Sequence, residues 1–513
     1  MARFNAKAKP TVQTVVNHQG GNGYQYDSKT ELVAILATGL DNKYYEKLGE
    51  REQRFANVIA EVAKTDKVFA AKAMVYARSV MGQRTVTHFG AVELAKVLAG
   101  DSLGARFFSK RERKANAGGV IYRLDDMLEI AACYQARNPG KQLSNAIKKG
   151  FKAALEAADE YELAKYQAKN RDLSLVDIIN LVHPKPSEKM KSVFAKLMKG
   201  ELKQFNTVED KNTKAGQEVA AKVKAGKITA EQAVAVLNEA KEDNFAELIE
   251  TRKIGYLALL RNLRNILKTG AKSEVIKGAC ELLTDKALIK QSLVFPHQID
   301  LALEIMLDEF GASGARPFIN ALNTAYELAI PNLTELFPHG KTAVIFDSSG
   351  SMTSRIRLAN KNAGSESAIA KAALIAATLA KGINADVYHF ADRTTQIKFN
   401  PLDSVNTLKN QFLGQQGSVG YGTAFESIFR TIGKNYDRVF IISDMQGKDH
   451  IEKSAYANMH VYSVDICGYG TTMFKPGSKV YGIYGYSSDI YELIKKVEID
   501  PKALIKAIEA IEI

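Results

Sequence analysis

Residues 341–352 read KTAVIFDSSGSM, and this stretch decides the fold. The run 342–346 is almost wholly apolar, which predicts a strand buried on both faces, and Asp347 follows as the chain leaves the sheet. Toward the C-terminus, predicted strands at 385–390, 395–399, 439–442 and 461–465 are separated by helices at 368–379, 405–412 and 424–432, with helices at 487–494 and 501–511 closing the chain. That alternation predicts an α/β domain over 341–513. Toward the N-terminus the pattern changes at Pro331, and apolar residues recur at three and four from about 51 to 330. Helices are expected at 54–63 and 67–80 on either side of Asp66, then at 86–99, 123–136, 143–166, 175–182, 188–197, 229–239, 245–267, 273–283, 298–310 and 317–329. Ser28 is expected to cap a helix at 29–38, with Glu31 completing a capping box. The first thirty residues read as an extended arm, 109–119 as a basic loop or fraying helix, and 207–227 as a connection or weak, solvated helix. Each amphipathic helix must be covered by a neighbour, so an irregular helical solenoid is expected over 1–335, with a compact bundle as the alternative.

With 513 residues, 46% hydrophobic and 25% charged, the chain can bury a large core, which excludes a disulfide-stapled miniprotein and a disordered chain. Seventy basic against 57 acidic side chains give +13, and 50 against 40 of these lie in residues 1–340, so a polyanionic partner is expected on the helical part. Cys133, Cys280 and Cys467 are odd in number and far apart, which suits reduced thiols and a cytoplasmic compartment. No signal core opens the sequence and no long apolar run follows, so membrane spanning is not expected.

Asp347, Ser349 and Ser351 share one turn at the end of a strand, Asp444 directly follows the strand at 439–442 and its serine, and Thr423 lies in GYGTAF. Carboxylate and hydroxyl oxygens at the C-terminal edge of a sheet suit a hard cation, Mg²⁺ or Mn²⁺, with open positions for water or a partner's carboxylate. The blander reading is that Asp347 and Ser349 cap the next helix. No histidine stands in a triad arrangement with Ser348, Ser349 or Ser351: His389 reads as packing and His450 as solvated, so no enzyme activity is expected. Gly468-Tyr469-Gly470 lacks the continuation of a nucleotide-binding loop. In the helical part, Lys110, Arg111, Arg113 and Lys114 form one basic cluster, Lys148, Lys149 and Lys152 a second, and Lys165, Lys169 and Arg171 a third, followed by His183 and Lys185 in NLVHPKP. Such groups contact phosphates and unpaired bases, although a lysine-rich solvated face is the usual fate of any single cluster.

The constellation Asp347, Ser349, Ser351, Thr423 and Asp444 resembles the metal-ion-dependent adhesion site of the von Willebrand factor A domain, over about 341–513. NLVHPKP at 180–186 is similar to the Ser-His-Leu-Lys-Pro segment of the Ro autoantigen family, and ALLRNLRNIL at 258–267 resembles a further signature of that family's TROVE module. The resemblance implies a ring of HEAT-like helical repeats over 1–335, completed by a Rossmann-like α/β A domain, in a monomeric, noncatalytic ribonucleoprotein. It implies small structured Y-like RNA on the outer surface, single-stranded 3′ ends of misfolded RNA in the hole, and, as in bacterial members, an exoribonuclease as protein partner. By it, Lys165, Lys169 and His183 match RNA-binding positions, the first two with one additional residue before Leu175. Val182 and Pro184 stand where the family has Ser and Leu, which bears on the RNA recognised. The alternative class is a metal-dependent protein scaffold without RNA binding, and a metal-dependent enzyme is a weaker third.

Overall fold

The computed structural model describes residues 13–41, 43–112, 115–167, 173–202, 208–292, 294, 296–329, 337, 339–353, 355–357, 365–485, 493–494 and 496–513. Its strands are β1 (Thr14–Val16), β2 (Asn22–Gln25), β3 (Arg111–Glu112), β4 (Ala117–Gly118), β5 (Thr342–Asp347), β6 (Arg355–Arg357), β7 (Ser365–Ser367), β8 (Asp386–Phe390), β9 (Thr394–Ile397), β10 (Arg438–Ser443), β11 (His460–Asp465), β12 (Thr471–Thr472) and β13 (Val480–Tyr484). A mainly helical region, interrupted by the β1–β2 and β3–β4 hairpins, precedes a mixed α/β region.

The main sheet runs in the order β13-β11-β10-β5-β8-β9, parallel except for β9. All six residues of β5 are buried. Their alternation divides the core: Val344 and Phe346 pack on one face with Phe440, Ile442 and Val464, while Ala343 and Ile345 pack on the other with Val439, Ile441 and Val461. The first face is covered by Ala368–Ile383, an alanine-rich helix with Leu374, Ile375 and Leu379 fully buried. The edge strand β13, with its glycine and mixed polarity, gave no apolar run to read.

The helical region holds two cores. One spans Leu32 to Leu202, and the other, from Phe245 to Tyr326, is continuous with the sheet face under Ala368–Ile383. Helix Leu48–Ser79 joins the two short helices expected around Asp66 into one, with a break at Asp66 (φ −153°, ψ 74°), whose carboxylate accepts from the Phe69 amide and restarts the helix. The reverse happens at 143–166. Asp159 and Glu162 form a capping box that starts Glu160–Lys165 as a helix separate from Asn145–Glu156. Asp27, not Ser28, caps Ser28–Thr38, and Glu31 pairs with Arg54 instead of closing a box. The basic stretch at 109–119 contains the β3–β4 hairpin, and Val208–Lys224 is a helix. Gly311, at φ +67°, marks the break within Pro296–Gly314.

The boundary expected near 335–341 divides the sequence but not the packing. The N-terminal arm is a β1–β2 hairpin whose β2 pairs with β12 of the α/β region. Conversely, Ile508 and Ile511 join the first helical core, and the helix Ala503–Glu509 packs on Leu48–Ser79. At the other end of the helical region, buried Lys409 bridges Asp300 and Glu304 (2.6 Å to Glu304), and Glu327 pairs with Lys381 at 3.0 Å. Both ends of the helical chain therefore dock on the α/β region.

Asp126 is the hub of the first core. Fully buried, it accepts from Arg78 at 3.0 Å and from the amides of Tyr122 and Arg123, and it meets His88 at 3.0 Å. Burial alone would raise its carboxyl, but the hydrogen bonds from His88 and Arg78 reverse the sign and hold it well below the usual range. Asp126→Asn is expected to cost about 3–5 kcal/mol, because Arg78 is left buried without its counter-charge. A carboxyl depressed by folding stabilises above its unfolded value, so this contribution is lost as pH falls through the acid range. Urea melts of wild type and variant at pH 7 and pH 2 check both, with a smaller difference expected at the lower pH, since the loss falls below the ordinary carboxylate value.

Candidate metal centre and basic surface

Asp347 ends β5, and Asp444 follows β10, its parallel neighbour in the sheet. The register sets Phe346 beside Ile442, so Ser443 lies next to Asp347 and donates to its Oδ2 at 2.6 Å. Asp347 Oδ1 accepts from the Ser349 amide at 2.8 Å, which draws the chain into the turn that carries Ser349 and Ser351, their hydroxyl oxygens 3.2 Å apart. Asp444 Oδ1 accepts from the Gln446 amide, and the backbone turns between them at Met445 through φ +58°.

Thr423 is delivered by a loop tied to both neighbours. The Gly350 amide donates to Tyr421 O at 2.9 Å, and Asp392 accepts from the amides of Tyr421 and Gly422. A Cβ at Gly420 or Gly422 would lie 1.8 or 2.1 Å from the Asp392 carboxylate, which is why the GYGT loop needs its glycines.

All five expected ligand residues are therefore gathered at one end of the sheet, each at most 3% exposed. Two atoms there, Thr423 Oγ1 and Asp444 Oδ2, are buried with no hydrogen-bond partner. Such atoms are costly to bury unless something fills the space between them. Burial pushes the Asp347 carboxyl up to about 6 against the hydrogen bonds from Ser349 and Ser443, and burial together with the charge of Asp347 pushes Asp444 up well above its ordinary value. A divalent cation would accept both orphaned oxygens and neutralise the paired carboxylates, so this oxygen-only donor set fits Mg²⁺ or Mn²⁺. Among the described residues no group of three or more His, Cys, Asp or Glu forms a metal cluster; three of the five donors here are hydroxyls, which such a group does not count.

The open outer face expected for this site is closed in the structure. The β1–β2 turn lies against the loop after Asp444, its His18 amide donating to Gln446 Oε1 at 2.9 Å, and Tyr45 of the helical region stacks on the His18 ring. Sequence reasoning missed Tyr45, Gln446 and Asp392, none of which carries a motif. It also missed Asp465, which ends β11 and accepts from the amides of Cys467 and Gly468 and from Tyr26 Oη. The Gly468-Tyr469-Gly470 string is the loop that Asp465 holds. Ser348 and His389 do meet at 3.1 Å, but Ser348 is fully buried and also donates to Phe390 O, so the pair belongs to the packing beneath the turn.

The basic residues scatter more. His183 is exposed, and it is the left-handed C-cap (φ 46°, ψ 65°) of Leu175–Val182. The Lys185 amide donates to Glu156 Oε1 at 2.7 Å, setting this segment against the end of Asn145–Glu156, the helix that carries Lys148 and Lys149. Lys149, Lys165 and Lys185 are exposed and Lys148 is half-buried. Lys165 lies over the rings of Tyr161 and Tyr166, and Arg123 stacks on Tyr166 at 5.1 Å. Arg111 corrects the expectation: it is 2% exposed, and its guanidinium donates to the carbonyls of Asn116, Gly118 and Glu512, so it holds the hairpin and the C-terminal segment and faces no RNA. Lys169 and Arg171 lie outside the described residues.

Thr423→Val tests the cluster. It keeps the volume and removes one orphaned hydroxyl, so the variant is expected to be as stable as wild type in chelator, or more so by about 1 kcal/mol. Its thermal stabilisation by Mn²⁺ is expected to shrink, and for wild type that stabilisation should weaken below about pH 6, where protons compete at Asp347. Melts in EDTA and in Mn²⁺ across pH 5 to 8 read both effects.

Residues 235–309 match the family model of the TROVE domain. ALLRNLRNIL lies inside that segment, and NLVHPKP lies before it. No curated protein matches the chain. Among solved structures, the fold is similar to the crystal structure of the Deinococcus radiodurans RO (RSR) protein, with a TM-score of 0.52 at 15% identity, covering 92% of this chain and 100% of that one. A segment of the chain thus matches the TROVE-domain model, within a fold similar to that of the Deinococcus RO protein.

Proposed function

We propose that this chain is a noncatalytic, RNA-binding protein of the Ro type, a ribonucleoprotein component in the handling or quality control of noncoding RNA. In this reading residues 1–335 are a TROVE module of HEAT-like repeats, and residues 341–513 are a von Willebrand factor A domain carrying Mg²⁺ or Mn²⁺. The RNA is small and structured, like Y RNA, with single-stranded 3′ ends of misfolded RNA as a second substrate and an exoribonuclease as protein partner. The cytoplasm is the proposed compartment.

His183 carries the proposal. A side chain in the left-handed region costs roughly 1–2 kcal/mol, and a glycine is the usual residue at this helix end. Here the position holds an imidazole with no hydrogen-bond partner among the described residues, exposed beside Lys185. Among the described residues no hydrogen bond uses that ring, whereas an RNA base or phosphate would.

His183→Gly separates the two roles. The helix end is expected to gain about 1 kcal/mol from the relieved backbone, while affinity for a structured RNA with a 3′ tail falls about tenfold. Filter binding between 50 and 200 mM salt should also show wild-type affinity falling steeply as counterions compete. Unchanged affinity in the glycine variant removes His183 from the interface, and a wild-type protein that binds no RNA leaves the scaffold reading in its place.

A further inference from the structure

The β1–β2 hairpin is seated on the loop that follows Asp444. Buried Asn17 donates from Nδ2 to Gly447 O at 2.7 Å, and the His18 amide donates to Gln446 Oε1 at 2.9 Å. The approach is so close that a Cβ on Gly21 would lie 2.2 Å from Gly447 O and 2.6 Å from the Lys448 carbonyl carbon. Gln446 is fully buried and carries this seating inward. Its Nε2 donates to Thr471 Oγ1 of β12 at 3.0 Å and reaches the carbonyls of Met445 and Asp444 at 3.1 and 3.3 Å, while its amide donates to Asp444 Oδ1 at 3.1 Å. Asp444 Oδ2 is the oxygen left without a partner in the cluster. Between the two residues Met445 stands at φ +58°, a left-handed conformation that a residue with a side chain keeps only where its surroundings impose it. The loop is therefore strained, and the hairpin is one of the things that hold it.

We infer that the β1–β2 hairpin is a control element for the metal cluster: seated, it holds loop 444–447 in the form that presents Asp444 to a divalent cation, and unseated, it lets the loop relax and the site weaken. The inference rests on the metal reading of Asp347, Ser349, Ser351, Thr423 and Asp444, and it names what regulates that site. The hairpin is suited to the part because it is weakly held. β1 is the outer strand of a three-stranded sheet, and the β2–β12 pairing spans two residues. Short strands at such an edge open at far lower cost than the buried main sheet. The path from hairpin to ligand is short and made of hydrogen bonds, from the His18 amide to the Gln446 side chain and from the Gln446 amide to Asp444. Coupling of this kind is reciprocal, so a bound cation must also favour the seated hairpin, and by the same factor.

The full chain tests this with Mn²⁺ as the probe, by calorimetry and by amide hydrogen exchange over residues 14–25 and 444–447. Two substitutions unseat the hairpin without touching the cluster. Gly21→Ala drives a methyl group into Gly447 O, and Asn17→Asp keeps the acceptor for the Gln19 amide but sets a carboxylate oxygen against the Gly447 carbonyl. Each is expected to weaken Mn²⁺ binding about tenfold and, in EDTA, to speed exchange of the loop amides about as much. Val16→Thr, at an exposed position of the same hairpin, should change neither readout. In wild type, Mn²⁺ should slow exchange in β1 and β2 about tenfold relative to EDTA. Should Gly21→Ala fail to fold, the near-isosteric Asn17→Asp carries the same readouts. Wild-type Mn²⁺ affinity in the unseating variants overturns the inference while leaving the metal site standing. Indistinguishable Mn²⁺ titrations for wild type and Asp444→Ala would instead remove the metal site itself, and the inference with it.

Discussion

One carbonyl oxygen holds the two halves of the molecule in register. Gly468 O accepts from Arg51 at 3.2 Å and from Arg54 at 2.8 Å, both from one helix of the helical region. Arg51 is fully buried, its other donors taken by Gly39 O, Thr38 Oγ1 and Glu46. Two guanidinium groups side by side in an apolar setting are tolerable only with counter-charge. Glu46 supplies it: burial would raise its carboxyl, yet the Arg54 hydrogen bonds and both arginine charges hold it below the usual range. Gly468 must be glycine for this contact, since it sits at φ +67° and a Cβ there would lie 2.5 Å from Thr38 Oγ1. The β2–β12 pairing, the aromatic stack on Tyr469 and the closed metal cluster all lie around this joint.

The elements that the sequence predicts well are those whose driving force is local. β5 reads as a strand because each of its residues faces a core, and Leu175–Val182 reads as a helix because of its apolar period, which the Ser174 cap then supports in the structure. The misreadings have the opposite character. Whether Asp66 ends a helix or only bends it, and whether 143–166 is one helix or two, depends on which carboxylate reaches which amide. β1, β2 and β13 are strands only because a partner edge is waiting, and no periodicity within three to five residues encodes that.

The site shows the same division. Asp347, Ser349 and Ser351 are legible because one turn carries them, and Thr423 and Asp444 because each lies at the mouth of a readable strand or loop. Tyr45 and Asp465 are invisible in sequence: Tyr45 is set beside the β1–β2 turn only by its stack on His18, and Asp465 by the Cys467 and Gly468 amides that it accepts from. Arg111 misleads for a related reason. In a run of basic residues its charge looks solvent-facing, but three backbone carbonyls, one of them 401 residues away, claim its donors.

That long reach has a consequence for how the chain is made. The first helical core is finished by Ile508 and Ile511, and Arg111 takes its bond from Glu512 O. Residues that leave the ribosome early thus wait for those that leave near the end, and loop closure over such separations is slow. During synthesis the nascent helices from 28 to 202 hold an apolar seam open to solvent until the α/β region has folded and returned the last helix to it. The interval before that return is when the chain is most exposed to aggregation and to proteolysis.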